Sequence, residues 1–352
     1  MLQLRVLLNM TRRANILGAT HVAFDGLTME HLSQLGATHV VRVSDRLVVG
    51  PSRRDALEHA RARQMWWSST EPWDKLYSPD VRWELPIVLW VSASLHERVN
   101  LWRTCSWLRR LGIAHHDVLV LEFDPVPLSS AASREVLTRP FTCSESVSDH
   151  PDEVLLERIE EARPWPRERY DRAVSLWDMY VDEDPAPFVE SCVRGVQGFP
   201  ELAPLWALLS RFFPARTTEG SLRLSRFDEL IFALLSKEWK TPLALVAHES
   251  ETQMNLWHLL SCTGDLLLPR RLEHWAGHDS SAAMERAPGP RPPDAGYPML
   301  SEVYRLTERG LRLRDTGLDQ LADAPTLPIA GTEAYAPSAP WVLLEEGRLT
   351  RL

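Results

Sequence analysis

Residues 87–102 have the sequence IVLWVSASLHERVNLW. The run Ile87–Val91 is continuously apolar, which is typical of a strand covered on both faces of a parallel sheet. Ser94 follows at a position that favours an N-cap, and Glu97 lies three residues later, which is the pattern of a capping box. Because apolar residues then recur at helical spacing from Leu95, the stretch predicts a buried strand that leads directly into a helix.

The pattern continues into further strands on both sides. Gly112 predicts the end of the helix, because glycine readily takes the positive φ of a helix C-terminus, and residues 117–122 (DVLVLE) predict another buried strand. Upstream, the hexapeptide LGATHV occurs at 17–22 and at 35–40, each copy a glycine turn before a short strand, with room for a helix of about two turns between them. The sequence therefore predicts a small, mainly parallel, Rossmann-like α/β domain over residues 1–127.

The chain changes character after this domain. Residues 128–150 are rich in Ser and Thr and predict a linker. Helical patterns fill 151–284, and within them 225–262 has the closely spaced segments of a helix-turn-helix. Ser225 followed by Asp228 predicts a variant of the capping box and hence a helix start.

The C-terminal part predicts a loop followed by a small mixed region. Residues 285–297 are rich in Pro and Gly and predict a flexible loop. Residues 298–352 predict a short amphipathic helix and strands, with a hairpin turn at Glu346-Gly347. Together with the preceding helices, these segments predict an α-helical, winged-helix-like domain with a short C-terminal β-hairpin.

Several short motifs occur together along the chain. They are Ser44-Asp45 with Val48–Pro51, the strand Leu89–Val91 with its following helix, Ser225–Leu235, Thr263–Asp265 and Leu306–Gly310. On these motifs the chain resembles an uncharacterised bacterial family, domain of unknown function 1835, with its helical winged-helix-like companion. The resemblance implies an α/β domain joined to a helical domain, and it supplies no activity. Family members often carry an acidic residue after the Trp-containing strand, where this chain has Ser92 and Ser94.

Composition excludes several classes of protein. The formal net charge of −9 disfavours a nucleic-acid partner, because sequence-independent contact with phosphates needs a positive surface. No apolar run approaches the roughly twenty residues of a membrane span, and Arg5 interrupts the apolar start of the chain, so we expect neither a membrane partner nor a secretory signal. The four cysteines form no CxxC pair, which predicts neither a zinc ribbon nor a disulfide framework and favours a cytoplasmic location.

Polar side chains are expected to collect beyond the carboxyl ends of the predicted parallel strands, where ligands of α/β proteins bind. The candidate ligand-binding residues are Asp25, Ser44, Asp45, Arg46, Ser92, Ser94, Glu97 and Arg98. A helix that begins at Ser94 would offer free N–H groups to a carboxylate or phosphate, unless Ser94 and Glu97 merely cap it. Asp45 and Arg46 equally fit a solvated turn. No catalytic residue is assigned, because no GxSxG elbow accompanies the serines.

Neither a cofactor nor a metal is predicted. The glycine-rich loop that cradles phosphates is absent from the sequence. His115-His116-Asp117 and Glu273-His274 with His278 offer metal-type side chains. His274 and His278 would lie one turn apart on a helix, but Gly277 argues against that helix, and no third ligand is indicated.

The predicted third helix of the helix-turn-helix, residues 252–262, is a candidate partner-binding element. It contains no Lys or Arg, and residues 151–275 hold 14 basic and 21 acidic residues, so phosphate contact is disfavoured there. A peptide groove needs apolar pockets instead of positive charge. The candidate partner-binding residues are Gln253, Met254, Leu256, Trp257 and Leu260, which equally fit an ordinary core.

Three functions remain open from the sequence. The favoured one is a non-catalytic cytoplasmic accessory protein that binds a protein or peptide partner, for example in a bacterial peptide natural-product biosynthetic or regulatory pathway, with self-association into a homo-oligomer left open. The second is an enzyme or small-ligand sensor that uses the strand-end edge. The third is a winged-helix transcription regulator. The first is favoured because the sequence shows no assembled active site.

Overall fold

The computed structural model describes residues 16, 18–67, 74–124, 146–277, 282–291, 298–338, 340–345 and 347–352. The described chain divides into two compact units. The first comprises the described parts of Met1–Leu47, Pro51–Asp182 and Val196–Glu201, and the second comprises those of Val48–Gly50, Glu183–Gly195 and Leu202–Leu352. The first unit therefore includes residues 151–182, which the sequence places in the helical domain.

The first unit is built on a five-stranded sheet with the strand order β2-β1-β4-β5-β6. The strands are β1 (Thr20–Ala23), β2 (His39–Arg42), β4 (Ile87–Val91), β5 (Val118–Glu122) and β6 (Arg163–Pro164), while the two-residue β3 (Gly50–Pro51) lies where the chain passes between the units. Neighbouring strands among β2, β1, β4 and β5 are parallel, and β6 is antiparallel at the edge. The prediction of a mainly parallel α/β sheet is confirmed.

Five α-helices of the described chain belong to this unit. They are α1 (Gly26–Gln34), α2 (Ala56–Trp67), α3 (Leu95–Arg110), α4 (Asp152–Glu161) and α5 (Arg167–Tyr180). Helix α1 joins the parallel neighbours β1 and β2, so the repeated hexapeptide does form a compact βαβ unit. Strand β4 leads into α3 as predicted, and every residue of β4 is buried.

The C-terminus of α3 also follows the prediction. Gly112 has φ +76, which an L side chain rarely adopts. With this conformation the N–H groups of Gly112 and Ile113 turn back to the carbonyl oxygens of Arg109 and Leu108, each at 3.0 Å. These bonds satisfy the last carbonyls of the helix and direct the chain toward β5.

The second unit is mixed. Its described α-helices are α6 (Ala186–Arg194), α7 (Leu202–Leu209), α8 (Arg226–Leu234), α9 (Glu251–Thr263), α10 (Leu267–Gly277) and α11 (Glu308–Thr316). Its strands are β7 (Ala215–Arg216), β8 (Leu222–Arg223), β9 (Met284–Pro288), β10 (Glu302–Leu306), β11 (Leu327–Ala330), β12 (Thr332–Ala334), β13 (Trp341–Leu344) and β14 (Leu349–Arg351). Strands β9 and β10 pair, β11 pairs with β12, and β14-β13-β7-β8 form a four-stranded sheet.

Three features differ from the sequence expectation for this unit. The middle segment of the predicted helix-turn-helix is a single 3-10 turn, Leu243–Val246. The closing hairpin β13-β14 shares its sheet with β7 and β8. Residues 285–288 belong to strand β9 and not to a loop, because β10 supplies hydrogen-bond partners that the local sequence does not signal. Glu346 of the predicted hairpin turn lies outside the described residues.

Helix α8 begins after Ser225 as predicted, but of the two hydrogen bonds of the predicted capping box one is replaced by a bond to another residue. The Ser225 hydroxyl accepts a bond from the Asp228 N–H at 3.1 Å, whereas the Ser225 N–H donates to Tyr335 Oη at 2.6 Å. The Asp228 carboxylate is bound by Arg271 at 2.7 and 2.8 Å and by Trp275 Nε1 at 2.9 Å. Asp228 therefore anchors a buried polar core and does not cap its own helix start.

Two further sequence expectations concern membrane-spanning helices and the cysteines. Among the described helices, none is long and apolar enough to cross a membrane. Cys105 and Cys192 are buried, whereas Cys262 is disulfide-bonded, a bond that the spacing of the cysteines does not predict. Cysteine spacing therefore does not support the predicted location.

Candidate functional site

The order of the strands creates a switch point in the sheet of the first unit. From β1 the chain crosses to β2 on one side and later returns as β4 on the other side of β1. In open α/β sheets, ligands bind beyond the carboxyl ends of the strands at such a point. Asp25 follows β1, and residues 92–97 follow β4. We call Asp25, Ser92, Ser94, His96 and Glu97 the switch-point site.

Glu97 is fully buried at the start of α3. Its Oε2 accepts a hydrogen bond from the Ser92 N–H at 2.7 Å. Its Oε1 is also buried, and no described residue forms a hydrogen bond with it. The predicted capping box with Ser94 is therefore wrong, because the carboxyl reaches past Ser94 to the end of β4, and the Ser94 N–H is bound by Ser92 Oγ at 3.0 Å.

The surroundings of Glu97 favour its neutral form. Burial, followed by the negative charge of Asp25, raises the pKa of Glu97 to about 8. Removing a carboxylate from water is costly, and a like charge nearby adds to that cost. Near neutral pH the site therefore holds one protonated carboxyl beside the charge of Asp25.

Asp25 is half-buried and is the N-cap of α1. Its Oδ1 accepts from the Thr28 N–H at 2.7 Å, and its Oδ2 accepts from the hydroxyls of Thr28 and Ser146 at 2.6 and 2.8 Å. Ser146 lies 121 residues away in the chain, so its contribution has no local sequence signal. These three donors fix the carboxylate at the end of β1.

Ser94 forms a pair with His96, a residue that the sequence analysis does not select. Ser94 Oγ lies 2.5 Å from His96 Nδ1, and Arg46 Nη1 lies 3.2 Å from the same nitrogen. Burial and the charge of Arg46 lower the pKa of His96 well below its usual value, so the imidazole is neutral near pH 7. The pair holds Ser94 and Arg46 in place, and the sole sequence signal for it is the presence of a histidine in the first turn of α3.

Asp45 is not part of the switch-point site. Arg63 Nε contacts both of its carboxylate oxygens, at 3.0 and 2.8 Å, and His59 lies 3.7 Å away. Burial is the largest influence and acts to raise the pKa of Asp45, but the charge and hydrogen bonds of Arg63, the hydrogen bond of His59 and the charge of Arg103 together outweigh it and hold the pKa well below its usual range. Asp45 is a buried structural ion pair, which is neither of the roles that the sequence suggested for it.

Arg98 and Ser44 are likewise engaged elsewhere. Arg98 Nε donates to the Ser92 carbonyl at 2.8 Å, and its Nη1 lies 2.5 Å from Glu122 Oε1. Glu122 also binds Arg169 at 2.7 and 2.8 Å. Ser44 Oγ accepts from Arg42 at 2.8 Å. Of the eight predicted ligand residues, the structure therefore brings Asp25, Ser92, Ser94 and Glu97 together, with Arg46 attached through His96.

The predicted anion site at the start of α3 is not available in the expected form. The Ser92 N–H is used by the carboxyl of Glu97, and the Ser94 N–H by Ser92 Oγ. The chain thus places its own acid where a phosphate or carboxylate was expected. Within the described ranges, no cluster of three or more His, Cys, Asp or Glu side chains could hold a metal ion. His278 of one predicted group lies outside those ranges.

The five predicted partner-binding residues divide into two sets on α9. Leu256 and Leu260 are buried in the core. Gln253 is also buried and donates from Nε2 to the Ala244 carbonyl at 2.9 Å. Met254 and Trp257 are 47% and 39% exposed, and because they are three residues apart they share one face of the helix.

Comparison with known proteins yields no similar protein. No family model, no curated protein and no solved structure matches the chain. The resemblance to domain of unknown function 1835 stays a prediction.

Proposed function

We propose that the first unit binds a small ligand at the switch-point site, through Asp25 and Glu97. The observation that supports this most strongly is the buried Oε1 of Glu97, which has no hydrogen-bond partner among the described residues. Leaving such an atom unpaired costs about 1–3 kcal/mol. A cost of this kind at the switch point of a parallel sheet is typical of a binding site, where the missing partner comes from the ligand.

Two of the other deeply buried acids that the structure describes, Asp45 and Asp228, support this distinction. Asp45 and Asp228 are each bound by an arginine, and for each the opposite charge lowers the pKa. Glu97 has an acid as its strongest charged neighbour, and the adjacent Arg98 is bound to Glu122. A purely structural role would be served better by an apolar residue or by a paired charge. The arrangement favours the small-ligand hypothesis over a protein that merely holds a partner.

A screen for ligand-induced stabilisation tests the proposal. The wild-type protein is melted with a library of small polar metabolites, and every compound that raises the Tm is repeated on three variants. Asp25→Asn keeps a side chain that caps helices well, Glu97→Gln keeps an acceptor for the Ser92 N–H, and Glu30→Gln changes an exposed acid on α1 as the matched control.

We expect at least one compound to raise the Tm of the wild type and of Glu30→Gln, with the effect lost in the other two variants. Stabilisation by ligand reports affinity for the native state, so loss of the shift reports loss of binding. If no compound stabilises the wild type, or if every effect persists in Asp25→Asn and Glu97→Gln, the proposal is wrong.

A second proposal concerns the exposed face of α9 in the second unit. Met254 and Trp257 present a flexible thioether and a large aromatic ring to solvent, and such side chains are enriched where proteins bind peptides. We propose that this face binds an apolar peptide segment in the cytoplasm, with α8, the 3-10 turn and α9 as a winged-helix-like support.

Peptide selection by phage display tests this second proposal. Enriched peptides should bind the wild type and the control Val193→Ser, which alters another exposed apolar side chain of the same unit. They should not bind the double variant Met254→Ser with Trp257→Ser. Failure to enrich any peptide, or equal binding to the double variant, would remove α9 as a docking face.

A further inference from the structure

The switch-point site offers acceptors to a ligand, and its neighbouring donors are engaged. The N–H groups of Ser92, Ser94 and Arg98 donate to Glu97, to Ser92 Oγ and to the Ser94 carbonyl. The guanidinium of Arg98 is held by Glu122 and by the Ser92 carbonyl. A ligand that approaches Glu97 therefore meets a carboxyl oxygen without a partner, which becomes a full acceptor when the carboxyl loses its proton.

Two acidic groups supply these acceptors from two different strand ends. Glu97 contributes its unbonded Oε1, and Asp25 contributes a carboxylate. A carboxylate has about four lone-pair positions, and the three bonds that Asp25 accepts leave room for one more. The two acids lie at the same edge of the sheet, because Ala23 of β1 pairs with Trp90 of the neighbouring β4, Asp25 follows Ala23 by two residues, and Glu97 is held at the end of β4 by the Ser92 N–H.

We propose that the group recognised at this site is an organic ammonium group, bound between Asp25 and Glu97. The inference rests on the proposed ligand-binding function and names its chemical class. An ammonium carries a positive charge and three donors, which match these oxygens. A hard metal ion fits less well, because Ca²⁺ takes six to eight oxygen ligands and no metal-type cluster occurs in the part of the chain that the structure describes.

Binding of a cation changes the protonation of Glu97. The charged groups that act on Glu97 are Asp25, which opposes its ionisation, and Arg98, which favours it. An ammonium group beside Oε1 adds a second favourable charge and stabilises the carboxylate. The O–H bond of Glu97 then breaks, its electron pair stays on the carboxylate, and the proton passes to the buffer. Cation binding near neutral pH is therefore coupled to proton release.

Three four-carbon compounds form a matched series for calorimetry. Putrescine carries ammonium groups, 1,4-butanediol is its neutral counterpart, and succinate is its anionic counterpart. Each is titrated into the full-length protein at pH 7 in two buffers of different ionisation enthalpy, and MgCl₂ and CaCl₂ are titrated as separate arms. Circular dichroism confirms that Asp25→Asn, Glu97→Gln and Glu30→Gln are folded.

We expect putrescine to bind, and butanediol and succinate to bind at least tenfold more weakly. The putrescine enthalpy should depend on the buffer, which reports proton release. Asp25→Asn and Glu97→Gln should each weaken putrescine binding at least tenfold, and Glu30→Gln should not. In Glu97→Gln any residual enthalpy should be independent of the buffer, which a purely structural role of Glu97 would not produce.

Other outcomes overturn the inference in distinguishable ways. Tighter binding of succinate or butanediol, or a metal ion whose binding is lost in Glu97→Gln, would exclude the ammonium class and leave the ligand site intact. Absence of putrescine binding, or putrescine binding that survives both site variants, would also exclude it. The small-ligand function itself fails separately, when the metabolite screen gives no compound that depends on Asp25 and Glu97.

Discussion

Two capping-box sequences, one in each unit, have opposite outcomes in the structure. Glu97 follows Ser94 and Asp228 follows Ser225 at the same spacing, and both acids are fully buried at helix starts. Asp228 is bound by Arg271, Trp275, Tyr335 and Ser225. Glu97 accepts a bond from the Ser92 N–H and has Asp25 as its strongest charged neighbour. One local motif can therefore hold either an acid paired with an arginine or an acid that no arginine binds, depending on its long-range partners.

The largest expected effect on stability comes from replacing Arg271, whose guanidinium pairs with Asp228 in the second unit. Arg271→Met leaves the Asp228 carboxylate buried without its opposite charge, so we expect the free energy of unfolding to fall by about 3–5 kcal/mol. Glu97→Gln, which resembles the protonated acid, should not lower it at pH 7, because in the wild type the ionisation of Glu97 already favours the unfolded state at that pH. Urea denaturation measures both. Equal losses for the two variants would erase the distinction between the sites.

The two acids should also give opposite dependences of stability on pH. The pKa of Glu97 is raised from 4.5 to about 8 in the folded state, so its unfolded form ionises first and the contribution to stability is lost as pH rises from 4.5 to 8. The pKa of Asp228 is lowered because the charge and hydrogen bonds of Arg271, with the hydrogen bonds of Tyr335 and Trp275, together outweigh burial, so its contribution is lost as pH falls below 3.8.

The free energy of unfolding of the wild type, taken relative to Glu97→Gln between pH 4.5 and 8.5, checks the first of these signs. We expect it to fall with rising pH by a few kcal/mol, since each tenfold change in an ionisation constant corresponds to about 1.4 kcal/mol. A difference that stays constant over this range would show that Glu97 ionises normally.

The smallest expected effect on stability is the difference between alanine variants of Ser94 and Ser225, the serines that precede the two buried acids. Ser225 Oγ accepts the Asp228 N–H at 3.1 Å, so Ser225→Ala should cost about 1–2 kcal/mol. The Ser94 hydroxyl bonds His96 and does not cap α3, and His96 retains Arg46, so Ser94→Ala should cost less than Ser225→Ala. Thermal denaturation of the two variants ranks them. The reverse order would mean that Ser94 caps its helix in solution.

Local signals predicted much of the first unit. The apolar run of β4, the repeated hexapeptide around α1 and Gly112 at the end of α3 each encode their structure within a few residues. Together they also place the carboxyl ends of β1 and β4, so Asp25, Ser92, Ser94 and Glu97 could be predicted as a candidate site from the sequence. The pairing of β9 with β10 could not be predicted, because it joins residues that are distant in the sequence.

The partners of the candidate residues could not be predicted in the same way. Asp45 meets Arg63 from 18 residues away, Ser146 meets Asp25 from 121 residues away, and Tyr335 meets Asp228 from 107 residues away. Such contacts are set by how the helices pack on the sheet, which sequence periodicity does not encode. Whether an acid is paired or left unpaired, and hence whether its pKa falls or rises, follows from these contacts.

The pKa of Glu97 can be measured by NMR titration of its ¹³C-labelled carboxyl group. We expect a midpoint of about 8 in the free protein, which falls when putrescine is added. The Asp25→Asn protein should give a lower midpoint than the wild type, because the repelling charge is gone. A midpoint near the ordinary 4.5 that does not respond to putrescine would contradict both the protonated Glu97 and its binding of an ammonium group.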